Sequence, residues 1–372
     1  MSAKRVPQAN FYPVILAGGR GTRFWPVSRR RRAKQLLALD GKQTMIQQTV
    51  ARVLPLVAAN RCWIITNSDS YREILRQLPR LENRQVIAEP VGRNTAPAIG
   101  LAAAILLHQD PDAILGIFPS DHVIEDGEKF RRILQQGINL AAADGNLVVL
   151  GIRPSRPETG YGYIEAGAKA EGALRVHRFT EKPDATHAAS FIEKGNYYWN
   201  SGMFIWSART IVTALQEHLP KTAAIVDEIG SAFGTAKFSR VFRQLYPKCE
   251  NISIDYAVLE PQSAKGEDES NLYCLPADFG WNDLGSWTAL HEHQCTKSKI
   301  DDGNLISASG VFTLDATGNL IQANGKFVAA IGVHDLVVVE TDDALLITTR
   351  ARAQDTGKVV KFLDDKKLNG LV

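Results

Sequence analysis

Apolar and polar positions alternate along the first third of the chain in blocks that read by turns as strands and helices. Pro13-Val14-Ile15-Leu16-Ala17 is a short apolar run that stops at Gly18-Gly19, the pattern of a buried strand entering a loop. Met45, Ile46, Val50, Val53 and Leu54 recur at helical spacing within residues 44–57. Residues 62–66 are a second apolar run, 71–81 predict a helix, Val86 and Ile87 open a third strand, and 96–108 form a long Ala/Leu-rich helix. A fourth strand over 113–118 ends at Pro119-Ser120-Asp121-His122. Strands alternating with helices of this length predict a parallel sheet wound with helices on both faces. Open sheets of that kind place ligands beyond the carboxyl ends of their strands. Residues 16–23, 89–95 and 119–122 are therefore expected to converge on one cleft.

From about Asp301 the texture changes. Short β-rich pieces at 327–333 and 336–340 are separated by Asn324-Gly325, Gly332 and Asp342-Asp343, and no helical period returns before the last few residues. This predicts a small all-β C-terminal domain, with no strict internal repeat and no long low-complexity tract. The expected division is a tail over 1–12, a wound α/β domain over 13–295 and a β-rich domain over 296–372.

Composition narrows the classes. The 372 residues are 45% hydrophobic and 22% charged, which excludes a disordered chain, a collagen or a disulfide scaffold. Lys plus Arg total 43 against 40 Asp plus Glu, a net charge of +3 that argues against wholesale nucleic-acid binding. Cys62, Cys249, Cys274 and Cys295 form no CxxC pair, which argues against zinc and for a reducing cytoplasm. Residues 1–12 hold no apolar run of signal-peptide length, and no stretch reaches the roughly 18 apolar residues of a membrane span.

The chemistry concentrates in residues 16–35, Leu-Ala-Gly-Gly-Arg-Gly-Thr-Arg-Phe-Trp-Pro-Val-Ser-Arg-Arg-Arg-Arg-Ala-Lys-Gln. Glycines let a backbone approach an anion and turn its N–H groups toward it, and Arg and Lys add mobile positive charge. The plain alternative is a tight turn beside a solvated basic face. A dinucleotide fingerprint fails, because the sixth position from Gly19 is Phe24. A P-loop fails too, because Gly41-Lys42 is followed by Gln43.

The segment resembles the signature of sugar-nucleotide pyrophosphorylases, and most of all bacterial-type mannose-1-phosphate guanylyltransferases. Gly18, Gly19, Gly21, Arg23, Trp25, Pro26, Ser28, Arg29, Lys34 and Gln35 match it, while Ala33 stands where that family usually has proline. The resemblance continues in order through Glu89-Pro90-Val91-Gly92-Arg93-Asn94-Thr95, Phe118-Pro119-Ser120-Asp121-His122 and Thr159-Gly160-Tyr161-Gly162-Tyr163. It goes on through Phe179-Thr180-Glu181-Lys182-Pro183, Trp199-Asn200-Ser201-Gly202, Ser253-Ile254-Asp255-Tyr256 and Gly280-Trp281-Asn282-Asp283.

The resemblance implies a Rossmann-like, GT-A-like nucleotidyltransferase fold with a mixed sheet and a β-helix-like C-terminal domain. It also implies the reaction. The phosphate of mannose 1-phosphate would attack the α-phosphorus of GTP, releasing pyrophosphate and forming GDP-mannose. Such a site needs cations and positioning more than a covalent nucleophile. By this resemblance the backbone at Gly18, Gly19 and Gly21 faces the triphosphate, with Thr22 alongside. Arg23 and Lys34 neutralise it. Leu16, Ala17, Glu89, Asn94 and Ser120 lie on the nucleotide side. Lys182 holds the sugar phosphate, while Glu181, Asn200 and the Gly162 backbone bond mannose hydroxyls. Asp121 and Asp283 would carry Mg²⁺, which takes one or two carboxylates plus phosphates. The expected partners are these substrates and products, with no nucleic acid and no membrane; a homodimer follows only by analogy. Some relatives carry a fused isomerase domain, and this chain is expected to have transferase activity alone.

Each residue has a duller reading. Asp121 could cap a helix, Asp283 could form a turn, and Glu181-Lys182 could be a surface ion pair of little worth. Arg30, Arg31 and Arg32 read as a solvated basic face, and His291-Glu292-His293 as a surface helix or loop. Ser120 lacks the Gly-x-Ser-x-Gly setting of a hydrolase nucleophile. Trp25, Trp199 and Trp281 read as packing residues. At the level of function, two alternatives stay open. One is a pyrophosphorylase for another hexose 1-phosphate or NTP. The other is a non-catalytic sugar-nucleotide-binding subunit, which would be expected to lose the Arg, Lys or Asp parts that are present here.

Overall fold

The computed structural model describes residues 10–143, 145–323 and 325–372. Most of the predicted tail thus lies outside the described residues, as does Asn324 of the predicted Asn324-Gly325 turn. The chain forms two compact units. The first takes the chain up to Gly18, Thr49–Ser120 and Ile124–Trp281; the second takes Gly19–Gln48, Asp121–Val123 and Asn282–Val372.

The first unit is built on strands β1 (Phe11–Ala17), β2 (Trp63–Asn67), β3 (Val86–Glu89), β4 (Ile114–Pro119), β5 (Leu147–Ile152), β6 (Tyr163–Ala170), β7 (Ala173–Thr180), β8 (Tyr197–Ser207) and β9 (Leu272–Ala277). Among the described residues these form one sheet in the order β3-β2-β1-β4-β8-β5-β9-β7-β6. β3, β2, β1 and β4 are parallel, as the alternating pattern predicts, and their Val14, Ile15, Ile64, Ile65, Leu115 and Ile117 are almost fully buried. The wholly parallel reading fails beyond β4. β8 runs antiparallel to both β4 and β5, and β6 and β7 form a hairpin. The hairpin closes on Glu171 and Gly172, both at positive φ, which suits the right-handed twist of the flanking strands. The sheet is therefore mixed, as the family resemblance implies.

Helix α1 (Thr95–Gln109) is apolar on nearly every face, and every residue from Ala96 to Leu106 is buried. It is covered on its far side by α2 (Ala208–His218) and α3 (Pro220–Ala232). Gly230 permits this approach, since a Cβ there would stand 2.9 Å from the Ala104 carbonyl carbon. The predicted 71–81 helix stops at Gln77, because Leu78 leaves helical geometry ahead of Pro79. Among the described residues no helix is long and apolar enough to cross a membrane.

The second unit contains helix α4 (Trp287–Ser298), strands β10 (Leu305–Ser307), β11 (Gly310–Leu314), β12 (Leu320–Gln322), β13 (Phe327–Ile331), β14 (Leu336–Glu340) and β15 (Leu345–Thr349), and helix α5 (Thr356–Asp365). β10, β12 and β14 stack in parallel, and so do β11 and β13; only β15 turns back antiparallel to β14. Parallel strands stacked along successive coils are the geometry of a short β-helix. The structural repeat has no matching sequence repeat. Its rungs are registered by buried asparagine. Asn319 Nδ2 donates to Asn304 Oδ1 at 2.9 Å and to Val333 O at 3.0 Å, and Asn319 Oδ1 accepts from Leu336 N–H at 3.0 Å.

Phe24, Trp25, Leu37 and Leu39 of the signature segment share one core with Trp287, Leu290, Leu320, Val337, Val339, Val360 and Leu363. Trp287 Nε1 donates to Trp25 O at 3.1 Å. The His291-Glu292-His293 reading needs correction. The segment is helical, but both histidines are buried rather than on the surface. Positions two apart on a helix face different ways, so the pair does not form one metal site. His291 Nε2 meets Gly303 O at 2.6 Å, whereas His293 Nε2 lies 3.3 Å from Asp40.

The asparagine stack generates a prediction. Asn319 is fully buried, so Asn319→Ala leaves at least one buried polar group unanswered. Urea unfolding should show a loss of about 1–3 kcal/mol. An unchanged midpoint would contradict the role given to the stack.

Candidate active site

The second unit carries Gly19, Gly21, Arg23, Lys34, Asp121 and Asp283. Gly21 has φ 62°, and a Cβ there would stand 2.3 Å from Lys34 Cβ, so glycine is required both by conformation and by space. The loop is tied by its carbonyls. Gln35 Nε2 donates to Gly19 O at 3.1 Å, and Ser28 Oγ to Gly21 O at 2.7 Å. Both bonds hold the loop through its carbonyl oxygens. Arg23 sits in the 3₁₀ turn Thr22–Phe24, is exposed, and has no carboxylate partner among the described residues.

Lys34 is the opposite case. It is 5% exposed at the start of a 3₁₀ turn. Its Nζ donates to Asp121 Oδ2 at 2.9 Å and to Asp283 O at 2.6 Å, and stands 5.6 Å from the centre of the Phe24 ring. A buried ammonium is costly unless paired and hydrogen-bonded, and these contacts supply both. Burial pushes the Asp121 carboxyl up, but Lys34 and His122 outweigh it and hold the group below the usual carboxylate range. Asp283 Oδ1 accepts from Gly285 N–H at 3.1 Å. Residues 21–24, Lys34, Asp121, His122 and Asp283 line a cleft of about 320 Å³. Among the described residues no group of three or more His, Cys, Asp or Glu could hold a metal. Two carboxylates on one cleft suit a hard cation that draws its remaining oxygens from phosphate and water.

The first unit carries the other residues, in two groups. In one, Asn200 N–H of β8 donates to Gly162 O, just ahead of β6, at 2.8 Å, and Asn200 Nδ2 donates to Asp255 Oδ1 at 2.8 Å. A Cβ on Gly162 would lie 2.5 Å from Glu181 Oε2. Glu181 also pairs with Lys182 Nζ at 2.7 Å, which raises the lysine pKa. Lys182 is held at φ 45° and its side chain stays 57% exposed, so the cation is presented rather than buried. Gly162, Glu181, Lys182 and Asn200 are thus brought together. Asp255 joins them, at the start of a π-helical turn, Asp255–Leu259. Burial, with Glu181 nearby, pushes its carboxyl up to about 6.

The other group gathers at the ends of β1, β3 and β4. Ala17 O accepts from Thr66 Oγ1 at 2.9 Å, Gly18 O from Asn67 Nδ2 at 3.1 Å, and Leu16 O from Ser120 N–H at 3.1 Å. Glu89 is buried beside Gly18, where a Cβ would come 3.3 Å from its Oε2. Tyr246 OH donates to Glu89 Oε1 at 2.6 Å. Burial keeps the Glu89 pKa raised, although Tyr246 and the Arg93 N–H pull it down. Asn94 is exposed at φ 67°, and its side chain caps α1 by accepting Thr95 N–H at 2.9 Å. Asp255, Tyr246 and His122 were not among the residues predicted for the site. Asp255 and His122 lie inside quoted motifs, whereas nothing around Tyr246 marks it in the sequence.

A wound sheet with loops at its strand ends, and a glycine loop backed by a paired lysine, define a nucleotide-handling α/β protein. The nucleotidyl transferase family profile matches residues 12–299, and that of the MannoseP isomerase/GMP-like beta-helix domain matches 309–363. The chain belongs to the nucleotidyl transferase family. It is 40% identical over 368 residues to the alginate biosynthesis protein AlgA of Pseudomonas aeruginosa, a match covering 95% of this chain and 72% of that protein. It is 38% identical over 365 residues to the mannose-1-phosphate guanylyltransferase of Salmonella muenchen, covering 96% of this chain and 74% of that one. A crystal structure described as mannose-1-phosphate geranyltransferase of Thermus thermophilus superposes with a TM-score of 0.83 at 31% identity, covering 95% of this chain and 99% of that one.

Two predictions follow from this geometry. Ala33 has φ −64°, and Arg32 before it pairs with Arg29 in an antiparallel bridge. Among the described residues the Ala33 N–H makes no hydrogen bond. Ala33→Pro should therefore fit and raise stability by about 0.4–1 kcal/mol in thermal unfolding. A lower Tm would show that the buried site has no room for the ring.

Asp255 has a folded pKa raised above its ordinary 3.8 to about 6. An acid raised on folding adds no penalty below about pH 4, and its penalty grows as pH rises through 6. Asp255→Asn should therefore gain stability relative to wild type between pH 4 and 7. The gain should be about 1–3 kcal/mol by urea titration at each pH. A pH-independent difference would count against the shift.

Proposed function

We propose that this protein transfers a guanylyl group from GTP to mannose 1-phosphate, forming GDP-mannose and pyrophosphate. The observation that carries the reading is the pair of buried Lys34 with half-buried Asp121, beside an exposed Arg23 that has no carboxylate partner among the described residues, at a glycine loop. That arrangement provides for a polyanion that must be neutralised and held. The relative named for this activity in Salmonella muenchen supports the choice of substrates.

In this reading an oxygen of the sugar phosphate attacks the α-phosphorus of GTP. The bond from that phosphorus to the β-bridging oxygen breaks, and the electron pair leaves with pyrophosphate. The loop N–H groups at Gly19 and Gly21 and the Arg23 guanidinium stabilise the charge on the leaving pyrophosphate. Lys34 cannot swing freely, so its charge is positioned before substrate arrives. Lys182 holds the attacking phosphate. Glu181, Asn200 and the Gly162 backbone bond the sugar hydroxyls. Glu89, Asn94, Ser120 and the Leu16–Gly18 backbone face the nucleoside. Asp121 and Asp283 would hold Mg²⁺, which when bound draws charge from the phosphates and aligns them. The four cysteines are free, which supports a cytoplasmic setting.

The decisive experiment is a panel of four NTPs against several hexose 1-phosphates, read by pyrophosphate release. GTP with mannose 1-phosphate should dominate; preference for another pair would replace the reading. EDTA should abolish turnover and Mg²⁺ restore it. Asp121→Asn should fold yet lose most activity. Lys182→Ala should raise the KM for mannose 1-phosphate roughly 10- to 150-fold, the loss of one charge-assisted contact, and leave the KM for GTP near wild type.

A further inference from the structure

The second unit ties the glycine loop to the far end of the chain at four points. Arg20 Nη1 and Arg30 Nη2 converge on Asp364 of α5, at 3.2 and 2.9 Å. Arg29 pairs with Asp343 at 2.8 Å, and Trp25 Nε1 donates to Leu371 O at 2.8 Å. The first turn of α5 also approaches the loop, since a Cβ on Gly357 would reach Thr22 Oγ1 at 3.6 Å. Arg30 is therefore more than part of a solvated basic face.

We propose that Asp364 is a positioning residue for triphosphate binding: it holds the Arg20–Arg30 segment, and with it Arg23, in the binding geometry. The proposal rests on the nucleotide-site reading above. Single exposed ion pairs contribute little to global stability. The constraint here is local. A glycine loop has a large conformational freedom to lose, and Arg23 has no carboxylate of its own among the described residues to fix it. Two arginines that flank Arg23 meet at one carboxylate, so the segment between them is tethered at both ends. A loop ordered beforehand loses less entropy when it meets an anion. The effect should fall on the nucleotide and spare the sugar phosphate, because Lys182 and Asn200 belong to other segments.

The test compares the full-length wild type with Asp364→Asn, Asp364→Glu, Arg30→Gln, the Asp364→Asn/Arg30→Gln double variant and Asp365→Asn. Both KM values, kcat and Tm are measured. The nucleotide is whichever NTP the wild type uses best, so a failure of the GTP assignment leaves this test intact. Asp364→Asn and Arg30→Gln should each raise the nucleotide KM about 3- to 10-fold. The sugar-phosphate KM should stay within about twofold. Asp364→Glu should recover most of the loss. The double variant should be little worse than either single, since both break the same link. Asp365→Asn, on the neighbouring exposed position, should match wild type. An unchanged nucleotide KM, a parallel rise in both KM values, or a fall in Tm alone would overturn the proposal.

Discussion

The second unit is organised around one buried ammonium. Lys34 is 5% exposed, and a charge in that position is tolerated only with hydrogen-bonding partners of opposite sign. Asp121 Oδ2 provides the opposite charge and Asp283 O a further, neutral acceptor, from two distant parts of the chain. Each imposes conditions on its surroundings. Gly21 must lack a side chain, because any Cβ would overlap Lys34. Leu284, next to Asp283, adopts φ 42°, an uncommon backbone for a leucine. Asp121 stays ionised despite burial because the lysine is beside it. Lys34 thus meets the glycine loop at Gly21, the Asp121 carboxylate and the backbone of the 283–285 turn.

The carboxylates of the first unit show the same physics with the other sign. Asp255 is desolvated and stands near Glu181, with only partial compensation from Asn200 and Lys182, so its pKa rises. Glu89 is buried against Tyr246, whose hydroxyl answers one oxygen without adding charge. In both, the cost of burying a charge outweighs the hydrogen bonds that favour the ionised form. The charged groups divide between the units: Arg23, Lys34 and the low-pKa Asp121 belong to the second, whereas Lys182 and the raised-pKa Asp255 and Glu89 belong to the first.

Much of the architecture was legible in the chain. The apolar runs ending in glycine or polar residues located β1, β2, β3 and β4, and the uninterrupted apolar stretch located α1. Continuous burial on both faces leaves a continuous apolar record. The mixed character of the sheet was not legible from periodicity. Strand direction depends on how the chain returns, and the hairpin of β6 and β7 with the long β8 replaces the expected crossovers. The β-helix was legible as β-rich texture only, because its rungs align half-buried Asn304 with buried Asn319 without repeating a sequence.

The sequence by itself determined which residue types were available: a glycine loop followed by Arg23 and Lys34, and carboxylates at Asp121, Asp283, Glu181 and Asp255. It did so because turns, charges and apolar spans are local properties of the chain. Which lysine is buried and which presented was decided by tertiary structure alone. Lys34 and Lys182 both sit in motifs beside polar residues, yet one is enclosed by Asp121 and Asp283 and the other is 57% exposed. The pairing of Tyr246 with Glu89, the burial of His291 and His293, and the meeting of Arg20 and Arg30 at Asp364 likewise join residues remote in sequence. Burial and pairing depend on which distant segments meet, and one strand or loop does not encode that for another.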